Sequence, residues 1–265
     1  MLHIRIHTLL LSACLLSSSL INAHAQVASD AELATIAARG RVLYEYDQAA
    51  WHASDAAAAT LPRKEQMAQY IARKTAAGWE VAFGQISSSG DAFLIAVLAK
   101  QGKSIEEFTA KKFDQPQRDT GFYLSASKGI RAATSDFGGM NRLYNVAAVP
   151  ATNGQLYVYL VPAQTDEGDY PLGADVRYLV AADGKIINKR PLHKGLIPHG
   201  DVPPGTKMAG GTHSHVLSNV PEDTDVFYVL TRKPSMPEYI STQTAVYCVN
   251  ADGSIKVAER VKSQH

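Results

Sequence analysis

"ADVRYLVAADGKIINKRPLH", Ala174 to His193, sets two apolar runs on either side of Asp183-Gly184. Asp-Gly between apolar runs is a strong short-range hairpin cue, so the stretch reads as two antiparallel strands. The arrangement recurs in "AVYCVNADGSIKVAERV", Ala245 to Val261, about Asp252-Gly253. "WEVAFGQISSSGDAFLIAVLAK" (Trp79 to Lys100) is a third hairpin, and "QLYVYLVPA" (Gln155 to Ala163) a further strand. These signals predict a β-rich α+β protein.

Working outward, "RVLYEYDQAAW" (Arg41 to Trp51) reads as a strand leading into a turn. "LPRKEQMAQYIARKTAAG" (Leu61 to Gly78) reads as a helix. Pro62 suits its first turn, Met67, Tyr70, Ile71 and Lys74 share a face, and Gly78 follows the end. "EEFTAKKFD", "TGFYLSAS" and "GIRAATSDF" continue as short strands up to Phe137. Glycines punctuate the chain at Gly138-Gly139. The expected organisation is therefore an N-terminal β-meander module with one helix over 26–138, then a mixed α/β domain over 139–265. "DVFYVLTRK" (Asp225 to Lys233) stays open between a strand and a short helix primed by Pro221 to Thr224.

Residues 1–25 carry a basic start at Arg5, an apolar run from Leu9 to Ile21 and the triplet Ala23-His24-Ala25. This is the layout of a secretory signal peptide cleaved before Gln26, and it implies a periplasmic or secreted protein. "LSAC", ending at Cys14, also fits a lipoprotein signal, but it lies early and the apolar run continues past it. No other segment approaches the roughly 20 apolar residues of a membrane span. Without Arg5, acidic and basic residues are equal in number, 25 each. A neutral chain without a basic block has no electrostatic footprint for nucleic acid. Cys248 alone survives processing, which excludes an internal disulfide, and its alternating strand context suits a buried thiol.

Four histidines, His193, His199, His213 and His215, crowd into one region, and "KMAGGTHSHVLSNVPEDTDVFYVL" (Lys207 to Leu230) places two of them one residue apart. On a strand, positions i and i+2 share a face, so His213 and His215 can converge on one ion while Ser214 points away. Asp225 or Asp223 can add a carboxylate once the intervening loop folds back. Two imidazoles and an acid form a sufficient zinc shell with one corner left for water. Gly210 and Gly211 leave room for a neighbouring backbone or an extended substrate. The bland alternative is a strand end whose histidines bond loop carbonyls, above a helix capped by Pro221 to Asp225. His193 either lines the same cleft or lies on the surface. His199, between Pro198 and Gly200, is expected to be exposed, and His52 to be structural.

His-Ser-His at a strand end, followed by a loop and an acid opening a helix, resembles the MPN/JAMM metallopeptidase family. The later "PSMPEYISTQTAVYCVNADGSI" resembles the family's next strand and hairpin. The likeness spans about Leu156 to Val257. It implies zinc on His213, His215 and Asp225, a glutamate upstream as general base, and hydrolysis of peptide or isopeptide amides. Glu167 is the only glutamate between Glu107 and Glu222 and is expected in the role of base, with Asp166 or Asp169 as substitutes. Ser214, or a backbone amide, is expected to stabilise the oxyanion. The pattern departs from the family where Val216 replaces a proline and Glu222 a serine, and the spacing from His215 to Asp225 is one residue short. A rival expectation is a non-catalytic periplasmic module that binds a protein or peptide partner.

Overall fold

Ser29 opens the first helix. Its hydroxyl accepts a hydrogen bond from the Glu32 amide at 3.2 Å, and α1 then runs over Asp30–Ala58. The computed structural model describes residues 26–60, 69–138, 141–165, 171–198 and 208–261. The strand expected over Arg41 to Trp51 is instead the middle of α1. Its apolar residues favour strands one by one, but the buried positions Leu33, Ile36, Ala37, Gly40, Leu43, Tyr46, Ala50, Ala53 and Ala57 recur every three or four residues, which is a helical stripe.

The helix expected over 61–78 is also corrected. Residues 61–68 lie outside the described residues, and Gln69–Thr75 form a strand, β1. Gly78, expected to end a helix, adopts φ +114° and turns β1 into β2 (Gly78–Ile86). β3 (Phe93–Gln101) pairs with β2 as the expected hairpin, and β4 (Phe108–Asp119) completes an antiparallel meander in the order β1-β2-β3-β4. The two short strands expected between Thr120 and Phe137 are one helix, α2 (Phe122–Phe137). Asp119 begins it by accepting from the amides of Gly121, Tyr123 and Leu124. The region before Gly138 thus holds two helices around its meander rather than one.

β5 (Tyr144–Pro150), β6 (Leu156–Pro162), β8 (Val176–Val180) and β9 (Ile186–Pro191) form a second antiparallel sheet in that order. β7 (Leu172–Gly173) pairs with β10 (Leu196–Ile197). The third sheet runs β11 (Gly211–Ser214), β12 (Glu238–Ser241), β13 (Ala245–Val249), β14 (Ile255–Arg260), with β11 and β12 parallel. Both Asp-Gly turns are present, with Gly184 at φ +90° and Gly253 at φ +76°. The ambiguous stretch after Pro221 is a helix, α3 (Asp223–Thr231).

All three apolar cores take side chains from both sides of Gly138. One joins Leu43, Tyr46, Trp79 and Val97 to Tyr159, Val161 and Leu192. Another packs α2 between the first two sheets through Phe93, Ile130, Val158 and Tyr178. The third links Leu33 of α1 to Val226 and Val229 of α3 and to Tyr247 of β13. The protein is therefore a β-rich α+β fold. Among the described residues no helix is long and apolar enough to cross a membrane.

Candidate metal centre

β11 pairs in parallel with β12, His213 opposite Ile240, and the His215 amide donates to the Ser241 carbonyl at 2.9 Å. This fixes the pleat, so both rings leave the same face and meet the first turn of α3. That turn is held by a reciprocal cap in which the Glu222 side chain accepts from the Asp225 amide while Asp225 Oδ2 accepts from the Glu222 amide at 2.7 Å. Asp225 is fully buried. His213 Nε2 lies 3.2 Å from its Oδ1, and His215 Nε2 lies 3.2 Å from its Oδ2.

A third imidazole completes the cluster. His193 follows β9 on a bend, and its Nε2 stands 3.1 Å from Asp225 Oδ1 and 3.0 Å from His215 Nε2. The bend is set by a local pairing in which Ala174 N donates to Gly195 O at 2.9 Å and Leu192 N to Asp175 O at 3.1 Å. A Cβ on Gly173 would lie 2.3 Å from the Gly195 carbonyl, so glycine is required for this approach. Of the sequence alternatives for His193, the structure selects the cleft. The ligand atoms of His193, His213, His215 and Asp225 all lie within 4.8 Å of one another, and all four residues are buried.

The outer nitrogens settle which way the lone pairs point. His193 Nδ1 donates to Asp175 Oδ1 at 2.8 Å, His213 Nδ1 to Glu238 Oε1 at 3.0 Å, and His215 Nδ1 to the Val220 carbonyl at 2.9 Å. Each neutral ring therefore carries its proton on Nδ1 and presents a lone pair at Nε2, the arrangement of metal-ligating histidines backed by oxygen acceptors. Glu238 is held in turn by Arg232 at 2.9 Å. The glycine pair is explained by this shell. A Cβ on Gly211 would lie 2.1 Å from Glu238 Oε2, and one on Gly210 would lie 2.9 Å from the Pro237 carbonyl. The space opened by these glycines is filled by Glu238 and Pro237.

Distance and charge both suit a divalent ion. Tetrahedral zinc with ligands at about 2.0–2.1 Å separates its donor atoms by about 3.3 Å, close to the 3.0–3.2 Å spacings of five of the six residue pairs, the whole set lying within 4.8 Å. Three buried carboxylates (Asp175, Asp225, Glu238) face one guanidinium, Arg232, so neutral rings leave two negative charges uncompensated. Protons can supply the balance. Burial alone would lower the His193 and His213 pKa values, but hydrogen bonds and charge from Asp175 and Asp225 lift the first to about 11, and those from Asp225 and Glu238 lift the second to about 9. Burial would raise Asp225, yet electrostatic attraction and hydrogen bonds from the surrounding imidazoles hold it well below the usual carboxylate range. Two imidazolium charges or one dication satisfy the same field.

Known proteins give no guide to the centre. Neither family models, nor curated proteins, nor solved structures match the chain.

The structure brings His213, His215 and Asp225 together. Ser214 is exposed and turned away from the cluster, on the wall of a cleft of about 430 Å³ that His193 and His215 also line. Glu167, Asp166, Asp169 and His199 lie outside the described residues. Asp223, the alternative acid, faces away from the histidines to Arg39, Arg177 and Tyr159. Sequence reasoning did not single out Asp175 or Glu238, and no spacing marks them, because they stand 18 and 25 positions from the rings they orient. The one available signal was a charged residue at the threshold of an apolar strand in each case, "DVRYLV" and "EYIS".

Proposed function

We propose that the protein is an exported zinc-dependent hydrolase of peptide or isopeptide amide bonds, with zinc held by His213, His215, Asp225 and His193. The observation that carries the metal is the convergence of three Nε2 atoms on one carboxylate at 3.1–3.2 Å. Imidazole nitrogen with a carboxylate oxygen in a compact shell suits zinc among the common divalent ions. Hydrolysis is supported by the cleft between Leu192–Ile197 and Ser214–Leu217, which runs past two of the imidazoles. A zinc ion there supplies Lewis acidity toward an amide carbonyl. Because Ser214 is turned away from the cluster, the oxyanion role falls in this proposal to a backbone amide of the cleft, and Glu167 is the proposed proton acceptor.

The likeness to MPN/JAMM domains stands as part of this proposal, resting on the His-Ser-His and Asp225 pattern. A second reading keeps the metal and drops the chemistry. It is favoured by His193, whose Nε2, close to His215 and Asp225, would add a fourth ligand atom where a three-ligand catalytic site keeps a position for water. In that case the centre is a closed structural site in a periplasmic binding module.

Elemental analysis decides the first step. About one zinc per chain is expected in the wild type and none in His213→Ala/His215→Ala; equal, near-zero metal in both removes the metalloenzyme. Visible absorption of the cobalt-substituted protein decides the second. A five-coordinate spectrum that changes with added acetohydroxamate supports an open hydrolytic site, and an intense, unresponsive four-coordinate spectrum supports the closed one. If turnover of a peptide library is found, an unchanged rate in Glu167→Gln excludes Glu167 as the base.

A further inference from the structure

The acids of "PEDTD" (Pro221 to Asp225) go to three separate partners. Glu222 accepts from Arg190 Nη2 at 2.5 Å, and Asp225 faces the imidazoles. Asp223, fully buried between them in sequence, accepts from Arg39 Nε at 2.8 Å, from the Tyr159 hydroxyl at 2.7 Å and from Arg177. Residues two apart on a helix point to nearly opposite sides. Anchoring Asp223 on one side therefore dictates the rotation at which Asp225 emerges on the other.

One anchor comes from the far end of the chain. Arg39 belongs to α1, and α1 meets α3 so closely at Gly40 that a Cβ there would lie 2.5 Å from both the Asp223 carbonyl and Val226 Cβ. We infer that Asp223, clamped by Arg39 of α1 and Arg177 of β8, is the positioning residue of the metal centre, so the N-terminal helix bears on the geometry of the ligands. The clamp rests on the metal-binding reading above. Its physical basis is that a buried carboxylate deprived of its cations must turn toward water or find other donors, and either movement rotates the first turn of α3.

The test compares full-length wild type with Arg39→Ala, Asp223→Asn, Arg39→Lys and, as a packing control, Leu43→Ala. Leu43 is a buried α1 residue that packs in the core shared with Tyr159 but makes none of the charged contacts to Asp223. Zinc affinity is read by competition with a chromophoric chelator, ligand geometry by the cobalt spectrum, and stability by the melting temperature of the metal-free protein. Arg39→Ala and Asp223→Asn are expected to weaken zinc about 10-fold or more and to alter the cobalt spectrum. Arg39→Lys, which returns the charge, is expected to recover most of the affinity. Leu43→Ala is expected to lower the melting temperature while leaving affinity and spectrum as in wild type. If Arg39→Ala does not fold, Arg39→Gln, which keeps a donor for Asp223, replaces it. Wild-type affinity in both Arg39→Ala (or its replacement) and Asp223→Asn overturns the clamp alone, as does an equal affinity loss in Leu43→Ala. Absence of zinc and cobalt uptake by the wild type overturns the metal reading and the clamp together.

Discussion

His193 Nε2 and His215 Nε2 stand 3.0 Å apart in the protein interior, while the opposite nitrogen of each ring donates outward, to Asp175 and to the Val220 carbonyl. Two neutral rings so oriented have only lone pairs to show each other. A proton or a cation between them relieves the repulsion, and the carboxylate of Asp225 beneath makes either welcome.

Proton exchange for metal is the first consequence. At neutral pH the metal-free cluster holds protons on His193 and His213, lifted to about 11 and about 9. Zinc needs unprotonated ring nitrogens, so binding at pH 7 is expected to expel about two protons. Calorimetric titration in buffers of different ionisation enthalpy counts them. A count of zero contradicts the charge balance drawn for the cluster.

Stability of the metal-free protein follows from the same groups. The folded chain keeps protons on these rings up to pH 9–11, whereas an unfolded chain releases them near pH 6.5. Between those limits the native state binds more protons, so stability falls as pH rises. The contribution is complete below about pH 6.5 and is lost progressively through pH 9 to 11. Melting curves in the presence of a chelator should show a falling midpoint from pH 7 to pH 10. A rising midpoint would sink the assignment. With zinc bound, this decline should be absent.

Removing the outer carboxylates should weaken the centre without abolishing it. Asp175→Asn and Glu238→Gln each leave three imidazoles and Asp225 in place but lose a charged acceptor behind one ring. A loss of about 10–100-fold in zinc affinity is expected for each, measured by chelator competition. Glu238→Gln also leaves Arg232 without its buried partner, so a lower melting temperature is expected for that variant.

Gly211→Ala tests whether the glycine serves the metal shell. The new methyl would meet Glu238 Oε2 at 2.1 Å and displace a carboxylate held by both His213 and Arg232. Weaker zinc binding is expected, with most of the fold retained. Gly40→Ala wedges α1 off α3 at the Asp223 carbonyl; it should destabilise by about 1–3 kcal/mol in chemical denaturation and, through the Arg39–Asp223 clamp, weaken zinc binding as well.

The strand pairs were the most legible part of the chain. Asp183-Gly184 and Asp252-Gly253 encode their turns locally, because positive φ is a property of the glycine itself. His213 and His215 were legible for a similar reason, since alternation along a strand places them on one face whatever lies opposite. The helices were misread where local preference and tertiary environment disagree. Val42, Tyr44 and Tyr46 favour strands, yet α1 is fixed by the side of the chain that its small and apolar residues bury against β-sheet and α3.

By itself, then, the sequence determined the β-rich class, the places of the Asp-Gly hairpin turns and a pair of imidazoles one residue apart. The tertiary structure alone decided the rest of the centre. It selected Asp225 over Asp223, brought in His193 from a bend after β9, and stationed Asp175 and Glu238 behind the rings. The physical reason is range. Turn and strand preferences act over a few residues, whereas a buried charge is stabilised by whichever partners the fold carries to within about 3 Å, however far apart they lie along the chain.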